Sequence, residues 1–328
     1  MYRDDLKFSL WCDFVERNFL EQEFAQLLKE GAFNAATSNP AIFKSAFLGS
    51  SAYVEAKKAL KGRSPKEIYE ALAIEDIALA ASKLLPLYQQ GDDGFISIEV
   101  DPLLCDDAHA TIQEGRRLFK AISHPNVMIK IPATNAGFEA METLLAEGIN
   151  VNATLIFSPE QTQKCLDAFK RVNKKKTNNA QAVISIFVSR FDRKLDNQLQ
   201  ENGLEASRVG IMNALKCYKM IENEQLSNIR ALFASTGVKS NTLRADYYVQ
   251  ELLVPRAINT APLETIKVFM LNGKNVKSAH IPSDEMIKSF FDTLSLKGID
   301  MNRAYQELMQ EGLESFKEAF VEILKSLE

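Results

Sequence analysis

Residues 127–161 read VMIKIPATNAGFEAMETLLAEGINVNATLIFSPEQ, and two short apolar runs with a helical pattern between them decide the fold. Val127–Ile131 and Val151–Phe157 are strand candidates, rich in the aliphatic residues that suit a buried pleated surface. Ser158-Pro159-Glu160-Gln161 then combines an N-cap residue, proline at the first helical position and glutamine at the third, which opens another helix. Strand, helix, strand, helix is the repeating unit of a parallel sheet covered by helices.

The same alternation runs outward in both directions. Six further strand candidates are Phe8–Asp13, Phe33–Thr37, Phe95–Asp101, Ala182–Phe187, Arg230–Ser235 and Arg256–Thr260. Ser64-Pro65-Lys66-Glu67 is a second helix start of the same kind, and Ser283-Asp284-Glu285 opens another. After the eighth strand the chain reads as helical over Leu263–Leu271, Asp284–Leu296 and Asn302–Leu327, with Gly298 marking the last break.

Eight strands separated by helices admit a closed barrel or an open doubly wound sheet. Neither G-x-G-x-x-G nor G-x-x-x-x-G-K-[ST] occurs, so the glycine-rich nucleotide turn common in open sheets is missing and the barrel is favoured. The expectation is an α/β chain folded as a (β/α)8 TIM barrel with additional C-terminal helices. It forms one domain over residues 1–328, with 283–328 as a helical extension, because no Pro/Gly/Ser-rich linker or internal repeat divides it.

Composition excludes several classes of function. With 46% hydrophobic and 25% charged residues among 328, the chain has material for a large core, so disorder and fibrous repeats are set aside. A formal charge of −4 advertises neither nucleic acid nor an anionic membrane as partner. Cys12, Cys105, Cys165 and Cys217 stand far apart without a C-x-x-C pair and read as buried reduced thiols. His109, His124 and His280 lack metal-ligand spacing, so no metal is expected. The N-terminal MYRDDLKFSLWCDF lacks a signal core, and no stretch reaches the roughly 18 apolar residues of a membrane span, which together point to the cytoplasm. Asn173–Asn179, NKKKTNN, reads as a solvated loop between a helix and a strand.

Polar residues recur at strand positions that a small barrel turns inward. Ser97, Glu99 and Asp101 share one face of the third strand candidate; Asn152 and Thr154 alternate with Val151, Ala153 and Leu155. Thr37 and Asn39 lie two apart, as do Ser185 and Phe187, and Asp13 is in phase with Trp11. Each alone suits a strand end, a turn or a satisfied β-former. Burying them all unpaired would cost about 1–3 kcal/mol apiece, so together they imply a shared polar pocket at the C-terminal face.

Lys130 is the sharpest case, because it stands between Ile129 and Ile131 in an otherwise apolar run. An ion-paired or snorkelling lysine is one reading. The other is chemical: desolvation disfavours the ammonium and leaves the amine that attacks a ketone to form a Schiff base. Glu99 on the neighbouring strand is placed to assist dehydration, and Asp13 supplies a second carboxylate for a separate proton transfer. Arg190 after the sixth strand, with Ser235 and Lys239 after the seventh, suits a phosphate further out.

Four strings, TSNPAIF (37–43), VMIKIPAT (127–134), GINVNATLIFS (148–158) and SIFVSRFD (185–192), resemble the transaldolase family. SLWCDFVER near the start, SIEVDP (97–102) and ASTGVKS (234–240) extend the resemblance over seven of the eight strand candidates, up to about Pro262. It implies a cofactor-free enzyme on a (β/α)8 barrel. Such an enzyme moves a dihydroxyacetone unit from fructose 6-phosphate or sedoheptulose 7-phosphate to glyceraldehyde 3-phosphate or erythrose 4-phosphate, in the non-oxidative pentose phosphate pathway. Carried over by motif, Lys130 resembles the Schiff-base lysine, Glu99 the acid/base acting through water, and Asp13 the base for carbon–carbon cleavage. Asn39, Asn152, Thr154 and Ser185 resemble substrate or catalytic-water contacts, Thr37 and Phe187 line the pocket, and Arg190 and Ser235 resemble phosphate ligands.

One departure is Gly237, where many members have an arginine, so Lys239 is left as its substitute. Small relatives that act as simple aldolases usually carry glutamine at the Glu99 position and are much shorter, which favours transfer here. A simple aldolase, or a sugar-phosphate-binding protein without turnover, are the competing readings. A homodimer is compatible with the sequence. Phe316 and Phe320, in the last helix, are placed either to pack on the barrel or to cover its mouth, and packing is the expectation.

Overall fold

In a computed structural model that describes residues 3–175, 178–239, 242–271 and 276–328, eight parallel strands close into a barrel in sequence order. They are β1 (Ser9–Cys12), β2 (Ala35–Thr37), β3 (Ile96–Glu99), β4 (Val127–Pro132), β5 (Asn150–Ile156), β6 (Ala182–Phe187), β7 (Ile229–Ala234) and β8 (Ile258–Ala261). Closure is made by β8 against β1, with Ser9 opposite Ile258 and Cys12 opposite Ala261. Helices separate the strands and cover them, so the expected TIM barrel with extra C-terminal helices is the observed fold.

The strands contract at their ends for local reasons. Asp101 lies beyond β3, where its carboxylate accepts from the Leu103 N–H at 2.9 Å and caps a short turn, Pro102–Leu104. Ser235 and Arg256 have φ of 54° and 59°, a left-handed backbone that turns the chain out of the pleat just after β7 and just before β8. The helix Pro159–Lys175 takes in the first part of the expected loop at 173–179, of which residues 176 and 177 lie outside the described residues.

Side-chain alternation sorts the barrel interior into levels. Trp11, Ala35, Met128, Val183 and Ile258 belong to one buried apolar cluster. Two residues further along the same strands stand Asp13, Thr37, Lys130, Ser185 and Thr260, so the interior turns polar in one step toward the C-terminal face. At the opposite end a polar clasp closes the floor. Asp93 accepts from Trp11 Nε1 at 2.8 Å and from Arg230 Nη1 at 2.6 Å, and Arg230 also donates to Ser9 Oγ at 2.9 Å.

β5 carries an irregularity that matters above. Its register with β6 shifts between Ala153 and Ile156, and Leu155 has φ 57°, which costs a leucine on the order of 1–3 kcal/mol. The bulge places Leu155 and Phe157 in the cluster shared with the C-terminal helix, while Ile156 packs into the main core.

That last helix, Met301–Ser326, crosses the C-terminal face of the barrel against the helix Pro40–Gly49, the Pro102–Leu104 turn and β5. Phe320 stacks edge-on to Tyr69 at 5.1 Å, as a packing residue should. Phe316 packs with the apolar cluster of the barrel strands and also lines the polar cavity, so it meets both placements open to it. Among the described residues no helix is long and apolar enough to cross a membrane.

Candidate active site

A cavity of about 150 Å³ opens at the C-terminal face, lined by residues of β2, β4, β5, β6, β7 and β8, of the segments that follow β1, β2, β6 and β7, and of the C-terminal helix. Asp13, Thr37, Asn39, Lys130, Asn152, Ser185, Phe187, Arg190 and Ser235 all line it. Nine of the twelve sequence-derived site residues therefore meet in one place. Glu99 and Thr154 are buried and do not line the cavity themselves, whereas Lys239 is exposed in the segment after β7.

Lys130 occupies an inward position of β4, directly opposite Glu99 on β3 and Asn152 on β5. Its stem is packed within the barrel, so the amine has few places to go. Lys130 Nζ donates to the Ser38 carbonyl at 3.0 Å and lies 3.2 Å from Glu99 Oε2. The latter contact is in ion-pair range, but neither Glu99 oxygen has an aligned hydrogen bond among the described residues. Burial pushes the Glu99 carboxyl up to about 7, with the neighbouring lysine opposing the rise. This acid consequently changes protonation near neutrality, beside the Lys130 side-chain nitrogen.

Asp13 sits just beyond β1 and accepts from Thr37 Oγ1 at 2.6 Å. Thr37 is also 2.6 Å from the Thr260 hydroxyl. With its own proton given to Asp13, Thr37 accepts from Thr260, which makes a directed chain of three side chains. Burial raises the Asp13 carboxyl above its ordinary value, against the opposing effects of Lys130 and the Thr37 hydrogen bond.

A second chain of hydrogen bonds fixes the opposite wall. Ser185 Oγ donates to Asn152 Oδ1 at 2.6 Å, and Asn152 Nδ2 donates to Ser97 Oγ at 3.0 Å, so the amide is held at both ends. Asn39 caps the helix Pro40–Gly49, accepting from the Ile42 N–H at 3.0 Å. Capping and lining are thus compatible roles, because the oxygen serves the helix and the amide N–H2 remains for the cavity. Thr154 Oγ1 is buried without a partner among the described residues, an orphan of the kind that a bound water or ligand resolves.

The outer end of the cavity is cationic. Arg190, near the start of the helix Ser189–Glu201, lies 5.2 Å over the Phe187 ring and ion-pairs with no carboxylate among the described residues. Burial foremost, with Arg193 nearby, lowers its guanidinium to about 10, so it stays charged at neutral pH. Ser235 Oγ is 3.1 Å from Ser189 Oγ at the same end. An added Cβ at Gly237 would lie 2.9 Å from Pro262 Cγ, so a longer side chain there would require the proline to move.

Several lining groups were missed in the sequence. Thr260 had a signal, since it alternates with Ile258 on the eighth strand. The Ser38 carbonyl has no side-chain signature. Ser315 and Phe316 come from the C-terminal helix, and the Phe316 ring centroid is 5.5 Å from Lys130 Nζ.

Comparison with known proteins identifies the family. A family profile described as Transaldolase/Fructose-6-phosphate aldolase matches residues 10–327. A transaldolase of Campylobacter jejuni subsp. jejuni (serotype O:23/36, strain 81-176) is 49% identical over 98% of this chain and 99% of its own length. Over the same shares of the two chains, transaldolases of Campylobacter jejuni subsp. doylei and of Helicobacter pylori strain P12 are 48% and 44% identical. Nearly the whole chain is matched by the profile and by these relatives alike, and it therefore belongs to the transaldolase/fructose-6-phosphate aldolase family.

Proposed function

We propose that the protein is a metal-independent Schiff-base transaldolase, moving a dihydroxyacetone unit between sugar phosphates in the cytoplasm. The carrying observation is Lys130 Nζ, buried inside the barrel at the cavity and 3.2 Å from Glu99 Oε2. The lysine amine adds to the ketose carbonyl, and Glu99, acting through water bound near Thr154, moves the protons that expel water and leave an iminium. Asp13 then takes the C4 hydroxyl proton, the C3–C4 bond breaks, and its electron pair flows into the iminium to give an enamine. The aldehyde fragment departs.

The enamine carbon next attacks the acceptor aldehyde, Asp13 returns its proton to the new alkoxide, and hydrolysis of the product iminium frees the longer ketose. The iminium serves as electron sink, so the scheme uses no metal or cofactor. The Thr260–Thr37–Asp13 relay supports the role given to Asp13, because it holds the carboxylate in one orientation. Thr37, Asn39, Asn152, Ser185 and Phe187 hold the sugar, and the substrate phosphate lies against Arg190 and Ser235, with Lys239 as a further cation reached from the loop. Fructose 6-phosphate and sedoheptulose 7-phosphate are the donors, glyceraldehyde 3-phosphate and erythrose 4-phosphate the acceptors, as the non-oxidative pentose phosphate pathway requires.

The test is reduction with borohydride in the presence of fructose 6-phosphate, followed by mapping of the adduct. A three-carbon adduct on Lys130 is expected, and an unmodified Lys130 would overturn the reading. Asp13→Ala should still form the imine but slow cleavage. The family description also names an aldolase, and assays with and without erythrose 4-phosphate separate transfer from simple release.

A further inference from the structure

The ring of Phe316 has no part in the chemistry above, yet it is the apolar group set against the reacting nitrogen. Phe316 is 4% exposed, and its centroid stands 5.5 Å from Lys130 Nζ. Two polar groups also stand against that nitrogen, the Ser38 carbonyl and the Glu99 carboxylate. The ring belongs to a helix outside the barrel that is fastened along its length. Lys194 bridges to Glu307 at 2.8 Å and to Glu311 at 2.6 Å, Phe320 stacks on Tyr69, and Glu322 pairs with Lys44. A ring held this firmly covers the lysine rather than sweeping across it.

We propose that Phe316 is a shielding residue that keeps water from the enamine while it waits for an acceptor, and so sets the balance between transfer and release. The inference rests on the Schiff-base reading above. Release requires the enamine carbon to gain a proton, giving an iminium. Water then adds to the iminium carbon; its oxygen becomes the ketone oxygen of dihydroxyacetone, and its two hydrogens end on the lysine nitrogen, which departs as an ammonium. Hydrolysis of an iminium also ends the transfer reaction, so the step peculiar to release is protonation of the enamine carbon. An apolar surface over Lys130 denies that carbon a water-borne proton between the two half-reactions.

The experiment compares the parent enzyme with Phe316→Leu and Phe316→Ala. Free dihydroxyacetone formed from fructose 6-phosphate without acceptor is measured against transfer to erythrose 4-phosphate. The ratio of release to transfer is expected to rise about tenfold in Phe316→Ala, equivalent to ~1.4 kcal/mol in relative barrier, and less in Phe316→Leu, which restores part of the bulk. A ratio unchanged in both variants would overturn the proposal, whether the two rates stay level or fall together as a packing defect would make them. Thermal melts accompany the rates, and if Phe316→Ala does not fold the ratio in Phe316→Leu decides. Failure of the parent enzyme to trap an adduct on Lys130 is a separate result, which would overturn the Schiff-base reading itself.

Discussion

Replacing Gly312 by alanine adds one methyl group where the C-terminal helix rests on Arg190. The new Cβ would lie 3.0 Å from Arg190 Nη1, 3.1 Å from Leu155 Cδ2 and 3.4 Å from Phe157 Cε2. Comfortable contacts between such atoms are about 3.5–4.0 Å, so something must give by roughly half an ångström. Leu155 and Phe157 are completely buried and locked by the β5 bulge. Arg190, with no ion pair among the described residues, is the group that yields. On stability two effects oppose each other. Alanine in place of a helical glycine contributes about 1 kcal/mol, while overpacking costs about 1–3 kcal/mol. The melting temperature should therefore fall by only a few degrees. The guanidinium, by contrast, leaves its position at the outer end of the cavity, and weakening a charged hydrogen bond by ~1 kcal/mol raises KM for fructose 6-phosphate about fivefold. Steady-state kinetics with fructose 6-phosphate and with unphosphorylated fructose, run beside thermal melts, provide the assay. An unchanged KM for the phosphorylated sugar in a variant that melts higher would refute the reasoning.

Two further outcomes follow from groups at opposite ends of the barrel. Because folding raises the Glu99 carboxyl to about 7, its proton-accepting form is lost as pH falls through that value, and kcat/KM should decline on the acid side of about pH 7. Glu99→Gln should remove this limb along with most of the activity, and a limb that persists in the variant would assign it to another group. Asp93→Ala removes the carboxylate that pairs with Arg230 and accepts from the Trp11 N–H at the floor, which should cost about 3 kcal/mol in urea unfolding while Lys130 remains trappable by borohydride. A stability within about 0.5 kcal/mol of the parent would show that the clasp contributes little.

The readable part of the architecture was the part written in side-chain period. Apolar runs with polar residues two apart located the eight strands, and Lys130 stood out because a lysine amid Val127–Ile131 calls for either an ion-pair partner or a task inside the barrel. Strand ends were less legible, since Ser235 and Arg256 adopt left-handed backbone that neither residue type favours on its own. The Leu155 bulge was invisible for the same reason, being imposed by tertiary packing rather than local preference. Thr260 had the right phase but lay on the least distinct strand. Phe316 marks a limit of another kind, because an inward aromatic on an amphipathic helix looks the same whether it rests on a wall or hangs over a cavity. Gly237 was readable as a departure, and only the approach of Pro262 explains why bulk is unwelcome there.

The walls around Lys130 are in place once β8 has paired with β1, but the ceiling is supplied by a helix that begins only at Met301. During synthesis the ribosome delivers every wall residue before that ceiling exists. Until that helix docks, Lys130 lacks the apolar cover of Phe316, however completely the strands around it have paired.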